Sequence, residues 1–499
     1  MLICSRAGTA LLVIATGAGC AGGSTSPPGA PQAIAAASSS GAVTSVADRV
    51  ARLEAAIPRL LAEGDVPGLS IALIEKGQVA WTHAFGFANA DTKAPVTERT
   101  VFEAASLSKP VVAYVALHLV DAGRLDLDAP LSRYVTTPYV ADDPRLAAIT
   151  ARRVLSHTSG LPNGRGPNQP EQIYFPPGER FSYSGEGFLY LQKVIETITG
   201  QPLNAIAQQL VFDPFGMVSS SFVWQNRYDS LAAFPHNDAG VPGDRRKPLV
   251  ALGHASLETT AADYARFITA LVRGSGLKTA SRSAMFRLQS QVDSTCVVCT
   301  SRPAGPKLST IGWGLGWGLS PVPGGDTLFW HWGDNGNMKA FTATLVRAGR
   351  GVVFFTNGAN GLGIAPDIAA VALGIEAPAF RWLSYERYNA PSRTVLKDIV
   401  ARGEPAVHDL LATPDRFTEA ELNTLGYRLL GRRRPSDAVA VLRLNAERFP
   451  SSPNTHDSLG EAYLRFGDTT SAVKEYRRAL ELDPSQQNAA DVLRRLGRQ

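Results

Sequence analysis

The stretch Phe102-Glu-Ala-Ala-Ser106-Leu-Ser-Lys109-Pro-Val-Val-Ala-Tyr-Val-Ala-Leu-His-Leu-Val120 decides the reading of this chain. From Val111 onward it is apolar over helical length, so a serine and a lysine three apart stand where a long helix opens. Residues three apart on a helix share a face, which brings the lysine amine to the serine hydroxyl. The unpaired amides and positive dipole end of a helix start can hold an oxyanion or a developing alkoxide. Pro110 is tolerable this close to the start. The same Ser-x-x-Lys spacing recurs at Ser275/Lys278 and Ser471/Lys474. Context separates the three. Ser275 lies between two glycines at a helix end, and Ser471 lies inside a helical repeat.

Working outward, residues 69–75 and 78–85 are apolar runs joined at Lys76-Gly77, a hairpin signal. A second hairpin is expected from 338–346 and 351–356 through Gly349. Helical segments lie between, among them 111–122, 190–198 and 261–272, the last opened by Thr260 with Asp263 three residues on. Strands at both ends with helices between predict an α+β fold, an antiparallel sheet built from distant parts of the chain with a largely helical insert, over residues 47–376.

Beyond it the pattern changes. Leu425-Gly426, Ala438 and Pro450 return as Leu459-Gly460, Ala472 and Pro484, a period of 34. This resembles tetratricopeptide repeats, in which small residues let paired helices approach. Repeats are expected over 417–499, with a linker and a degenerate helical hairpin over 377–416. Such repeats commonly recruit a protein partner.

At the other end, one arginine, an apolar run at 7–18 and small residues before Cys20 read as a signal peptide over 1–20. The run is shorter than the roughly 20 residues a membrane span needs. The residues before Cys20 resemble the lipobox of bacterial lipoproteins, which implies a lipid anchor on that cysteine. Residues 21–46, rich in Ala, Gly, Ser and Pro, read as a flexible tether. The expected location is therefore outside the cytoplasm, periplasmic or anchored to a membrane. Cys296 and Cys299 lack further zinc ligands, and in an exported chain they read as a small-loop disulfide. The formal charge of +5 is spread along the chain rather than gathered in a stripe, which argues against nucleic acid as a partner.

Neither Gly-x-Ser-x-Gly nor His-Glu-x-x-His occurs. Downstream of Ser106-x-x-Lys109 come His157-Thr-Ser-Gly160-Leu-Pro162, then Tyr183-Ser-Gly185-Glu-Gly, then His331-Trp-Gly333. In this order the motifs resemble the serine β-lactamase and penicillin-binding-protein superfamily, in its branch of class C β-lactamases, D-alanyl-D-alanine carboxypeptidases and esterases. The resemblance spans residues 50–375. It implies Ser106 as an acylated nucleophile, Lys109 as its partner, and Tyr183 as the proton shuttle, its phenolate held by cations such as Lys109. It also implies His331 in place of the family's Lys of Lys-Thr-Gly, and the amides of Ser106 and Asp334 as an oxyanion hole. If His331-Trp-Gly333 is an edge strand, alternation turns Trp332 away from the site, and Gly333 lets substrate lie close. His157-Thr-Ser-Gly reads as a structural turn near the site.

One departure bears on substrate. Gly185 stands where the family places an asparagine that grips the substrate's acylamide carbonyl. Read as a vacancy, and together with His331 in place of the family's lysine, it ranks small esters first, D-amino-acid peptides second and β-lactams third. The expected protein is thus an exported serine hydrolase acting on an ester, amide or β-lactam bond through an acyl-enzyme, with no metal or cofactor. Its rival is a catalytically inactive penicillin-binding-like domain that binds a ligand while the repeats recruit a partner. Intact Ser106, Lys109 and Tyr183 argue against the rival.

Overall fold

Both expected hairpins form, and they lie side by side. In the computed structural model, which describes residues 45–166, 169–300, 305–413 and 417–497, β1 (Gly68–Glu75) turns into β2 (Gln78–Asn89). The two turn residues, Lys76 and Gly77, both have positive φ (50° and 67°), the tight turn whose twist matches its strands. The second hairpin, β10 (Lys339–Leu345) and β11 (Gly351–Thr356), returns the far end of the chain to the first, with Leu69 opposite Thr356. Between them run β3 (Ala94–Pro95), β4 (Phe102–Glu103), β5 (Glu258–Thr259), β6 (Ser290–Asp293), β7 (Lys307–Trp313), β8 (Gly318–Pro321) and β9 (Thr327–Asp334). Nine of these make one antiparallel sheet in the order β3-β2-β1-β11-β10-β9-β8-β7-β6, and β4 pairs with β5 apart from it. The leader, Cys20 and the tether through residue 44 lie outside the described residues.

The central strands are buried on both faces, so alternate side chains feed two cores. Leu69, Ile71 and Leu73 of β1 with Phe341 and Phe354 face α1 (Val46–Gly64) and α6 (Gly361–Leu373). Ala72 and Ile74 with Val353 and Phe355 face the helical insert. The centre of that insert is α2 (Ser108–Asp121), every residue of which from Ser108 to Leu117 is buried. A helix apolar all round belongs inside, and burying each large aliphatic side chain contributes about 1.5–3 kcal/mol. Around α2 lie α3 (Ala151–Leu155), α4 (Glu186–Thr199) and α5 (Ala261–Arg273), the last capped by Thr260 accepting from the Asp263 amide at 3.1 Å.

Two expectations need correction. The His331 stretch belongs to an internal strand, fourth from the β6 end of the sheet. Because β8 pairs only with Thr327–Trp330, the part from His331 to Asp334 still runs past the end of its neighbour. The packing of the sheet and its insert also continues beyond position 376. In α7 (Ala379–Leu383) Ala379 and Trp382 are buried in the α1/α6 core, and Trp382 donates to the Asp293 carbonyl at 2.8 Å. Tyr385 donates to Asp334 at 2.8 Å.

Among the described residues seven helices come next: α8 (Pro391–Arg402), α9 (Glu404–Leu411), α10 (Glu419–Gly431), α11 (Pro435–Arg448), α12 (Pro453–Phe466), α13 (Thr469–Leu482) and α14 (Gln487–Arg495). A side chain on Gly426 would meet Leu442, and one on Gly460 would lie 3.1 Å from the Tyr476 ring, so both glycines set the approach of the paired helix. The helical region is tied to the rest by ions: Arg428 reaches Glu386 and Asp238, and Arg432 reaches Asp238 and Asp65. Residues 44–499 accordingly form one compact unit. Among the described residues no helix is long and apolar enough to cross a membrane.

Candidate active site

The chain reaches Ser106 through a strained residue. Ala105 is fully buried with φ of 50°, a left-handed backbone that alanine adopts only when its surroundings hold it there. The hold is visible: the Ala104 amide donates to the Leu257 carbonyl at 2.7 Å, and Ala105 bridges to Ser256. Ser106 sits just ahead of α2, whose cap residue is Leu107, and Ser106 makes no side-chain cap. Its hydroxyl instead accepts from Lys109 Nζ at 2.9 Å, and the same ammonium donates to the His254 carbonyl at 2.9 Å. Ser106 keeps some exposure while Lys109 is 1 % exposed. Burial pushes the Lys109 amine down to about 7.

Tyr183 and His331 close the other side. Lys109 Nζ lies 4.8 Å from the centre of the Tyr183 ring, and the Tyr183 hydroxyl is 3.5 Å from His331 Nε2. His331 Nδ1 donates to the Trp332 carbonyl at 2.8 Å, which leaves Nε2 as an acceptor toward the phenol. Burial, with the Lys109 charge beside it, pushes this imidazole down to about 3, so it is neutral. Burial also drives the Tyr183 phenol well above its usual value, against a smaller lowering by its hydrogen bond with Ser106. The proton balance therefore differs from the expectation of a phenolate: the amine, not the phenol, is the group that can give up its proton near neutral pH. Trp332 is not remote either, since its ring backs Tyr183 at 4.7 Å.

Two glycines expected to face substrate do not. Gly333 faces Ala104 and Ala105 rather than open space, and a Cβ there would strike the Ala104 carbonyl. Its bareness lets β9 lie against the segment carrying Ser106, so the expectation that it makes room for substrate is replaced by backbone packing. The neighbouring Asp334 has its carboxylate engaged by Lys339, the Gly336 amide and Tyr385. Gly185 is not a vacancy. A Cβ there would run into the Asn163 carbonyl and lie 3.1 Å from His254 Cδ2 and 3.3 Å from Asn163 Oδ1. The ranking of esters first drew on an empty space that two other residues fill.

The His157 turn ends α3 with φ of 55°, Ser156 bonding to the Arg152 carbonyl at 2.8 Å. His157 Nδ1 accepts from the Ser184 amide at 3.0 Å, and its ring lies 4.3 Å from Tyr183, so the turn carries the tyrosine segment. Cys296 and Cys299 are disulfide-bonded, and the loop they close accepts the Tyr183 amide on Val297 O at 2.9 Å.

Residues 53–375 match the family model described as Beta-lactamase. The chain belongs to the β-lactamase family. It is similar to "Penicillin-binding protein 4" of Amycolatopsis lactamdurans, 27% identical over 63% of this chain and 87% of that protein. It is also similar to "Esterase EstB" of Burkholderia gladioli, 31% identical over 36% of this chain and 52% of that one. Among solved structures it shares its fold with the D-alanine carboxypeptidase AmpC of Burkholderia cenocepacia, at a TM-score of 0.55 and 18% identity over 66% of this chain and 99% of that chain.

Within this family's fold, His254, Asn163 and Tyr385 join the site without having been singled out in the sequence. His254 is 145 residues from Lys109, and no local pattern links them. Asn163 had a signal: it directly follows the Gly160-Leu-Pro162 end of a motif already in hand.

Proposed function

We propose that this β-lactamase-family protein hydrolyses a carbon ester or amide bond through an acyl-enzyme on Ser106. The observation that carries the reading is the 2.9 Å bond between Lys109 Nζ and Ser106 Oγ in a site whose burial brings the amine to about 7. Free amine at neutral pH can take the Ser106 proton as Oγ attacks the substrate carbonyl. The oxyanion falls to the backbone amides of Ser106 and Asp334, on segments that Gly333 lets lie together. As the tetrahedral intermediate collapses, the bond to the leaving group breaks, and the Tyr183 hydroxyl protonates that group and is refilled from the Lys109 ammonium. Neutral His331 orients the phenol through Nε2. Water then enters with Lys109 again as base, the Ser106 ester bond breaks, and the acid leaves with Ser106 reprotonated.

The names of the relatives, a penicillin-binding protein and an esterase, support both an amide-type and an ester substrate. Export, a lipid on Cys20 and a protein partner for the helical C-terminal region, read as a tetratricopeptide-like array, belong to the same proposal. They rest on the sequence pattern alone.

Intact-protein mass spectrometry after exposure to 4-nitrophenyl acetate, a fluorophosphonate and a penicillin tests the enzymatic reading. We expect one covalent adduct on Ser106 from the ester and the fluorophosphonate, and none in Ser106→Ala. An unmodified wild-type protein with all three reagents would return the molecule to a binding role.

A further inference from the structure

Tyr183 stands on a stretch, 181–185, that lies outside any helix or strand, so its place is set by what the neighbouring backbone is bonded to. On one flank is the His157 turn. The Ser182 amide donates to the His157 carbonyl at 2.8 Å, and the Ser184 amide to His157 Nδ1 at 3.0 Å. On the other flank is the loop closed by Cys296 and Cys299. The Tyr183 amide donates to the Val297 carbonyl at 2.9 Å, the Cys299 amide to Ser182 Oγ at 2.8 Å, and Arg180 Nε to the Cys299 carbonyl at 3.3 Å.

The stem and the tip of that loop are held differently. At the stem the Ser294 amide donates to the Pro306 carbonyl at 2.8 Å, the Thr295 amide to Asp293 Oδ1 at 2.7 Å, and Trp382 to the Asp293 carbonyl at 2.8 Å. These bonds use no cysteine. At the tip the disulfide joins residues three apart, and a ring this short removes less freedom from the unfolded chain than a long one. Its effect is therefore chiefly local: it fixes the turn that aims the Val297 carbonyl and the Cys299 amide at the tyrosine segment. The two sulfurs also differ in access, since Cys299 is fully buried and Cys296 is partly exposed. A thiolate arriving from outside meets Cys296 first.

Resting on the hydrolase reading above, we propose that Cys296 and Cys299 are positioning residues for Tyr183 and a site of thiol–disulfide exchange with a dithiol. Their redox state sets how well the leaving group is protonated. One thiolate of the dithiol attacks Cys296 Sγ, the bond between the two cysteines breaks, and Cys299 departs as a thiolate. The second thiol then displaces Cys296 from the mixed disulfide. The dithiol is oxidised to its own disulfide, and its two protons end on Cys296 and Cys299. The tip loosens, while the stem, the His157 turn and the Ser106-Lys109 pair keep their bonds. Tyr183 loses its aim at the leaving group, and Ser106 keeps its base.

The test is the dependence on leaving group, because 4-nitrophenolate departs without a proton while phenolate and ethoxide increasingly need one. kcat/KM is measured for 4-nitrophenyl, phenyl and ethyl acetate on the full chain before and after dithiothreitol, and on the Cys296→Ser/Cys299→Ser variant. Iodoacetamide and peptide mapping follow the thiols freed at the two positions. We expect the loss on reduction to grow along the series, from under about twofold to about tenfold or more, part of what a general acid contributes. Fluorophosphonate labelling of Ser106 should be unchanged, reoxidation should restore the rates, and the variant should behave as the reduced protein with a similar melting temperature. A loss equal for every ester turned over would indicate a structural role and overturn the positioning. A bond that resisted dithiothreitol in the folded chain would overturn the exchange site, and a variant that still responded to dithiothreitol would place the effect elsewhere. An active chain indifferent to reduction would remove this inference alone. If the oxidised chain turned over none of the esters and resisted the fluorophosphonate, the hydrolase reading itself would fall, and this inference with it.

Discussion

The Ser106 site and the C-terminal helices are built by opposite rules. In the helical region two glycines each meet a partner sixteen residues on, Gly426 with Leu442 and Gly460 with Tyr476, so these contacts are local and recur along the chain. At the site, one ammonium joins Ser106 to the carbonyl of His254, and one phenol meets His331 from 148 residues away. Local contacts leave a period in the sequence, whereas distant ones leave only isolated residues. The consequence is testable, because damage to a repeat should stay local while damage to the site should spread through every group in it.

The largest effect should come from Ser106→Ala and Lys109→Ala. Each is expected to lower turnover by several orders of magnitude, and the double variant by hardly more than either alone, because nucleophile and base act as a unit. Losses that multiplied would show two independent contributions and break the comparison. Next in size, a chain ending at residue 376 should fail to fold, since it removes buried Ala379 and Trp382 and the Tyr385 bond to Asp334. One ending at 390 should fold and hydrolyse, with a lower melting temperature because Asp238 and Asp65 lose Arg428 and Arg432. Equal solubility of the two chains would mean that the segment 377–390 merely rests on the core.

The rate of acylation should respond to pH through Lys109. Only the free amine accepts the Ser106 proton, so the rate should rise about tenfold per pH unit up to about 7 and level off above it. The sign for stability comes from the same shift. Between about 7 and the ordinary value of 10.5 the unfolded chain holds a proton that the folded chain has released, so this residue makes stability rise with pH across that window. A flat acylation profile from pH 5 to 9 would remove Lys109 as base.

Smaller still are two glycine substitutions that set the regions side by side. Gly185→Asn should cost about 1–3 kcal/mol of stability through overpacking against the Asn163 carbonyl, and should lower activity on every substrate. Gly426→Val should cost a similar amount through Leu442, yet leave turnover within about twofold. Calorimetry together with ester turnover separates the two cases. A gain of amide activity in Gly185→Asn would restore the reading of position 185 as a vacancy.

Local pattern was enough for several features. The sequence determined both hairpins, since Lys76-Gly77 and Gly349 mark turns between period-two apolar runs. It determined the central helix, whose residues are apolar all round, and the 34-residue recurrence in the C-terminal helices. Ser106 and Lys109 were readable because their spacing is a helical turn and needs nothing from the rest of the chain. Tertiary structure alone decided that Gly185 and Gly333 are bare for backbone and neighbouring side chains rather than for substrate. It alone brought His254 and Asn163 to the nucleophile, and it alone set the amine and the phenol to opposite sides of their ordinary proton affinities. The physical reason is common to all three: closeness between segments that are separated along the chain, and the loss of water around a charge, are properties of packing, and no local pattern of sequence contains them.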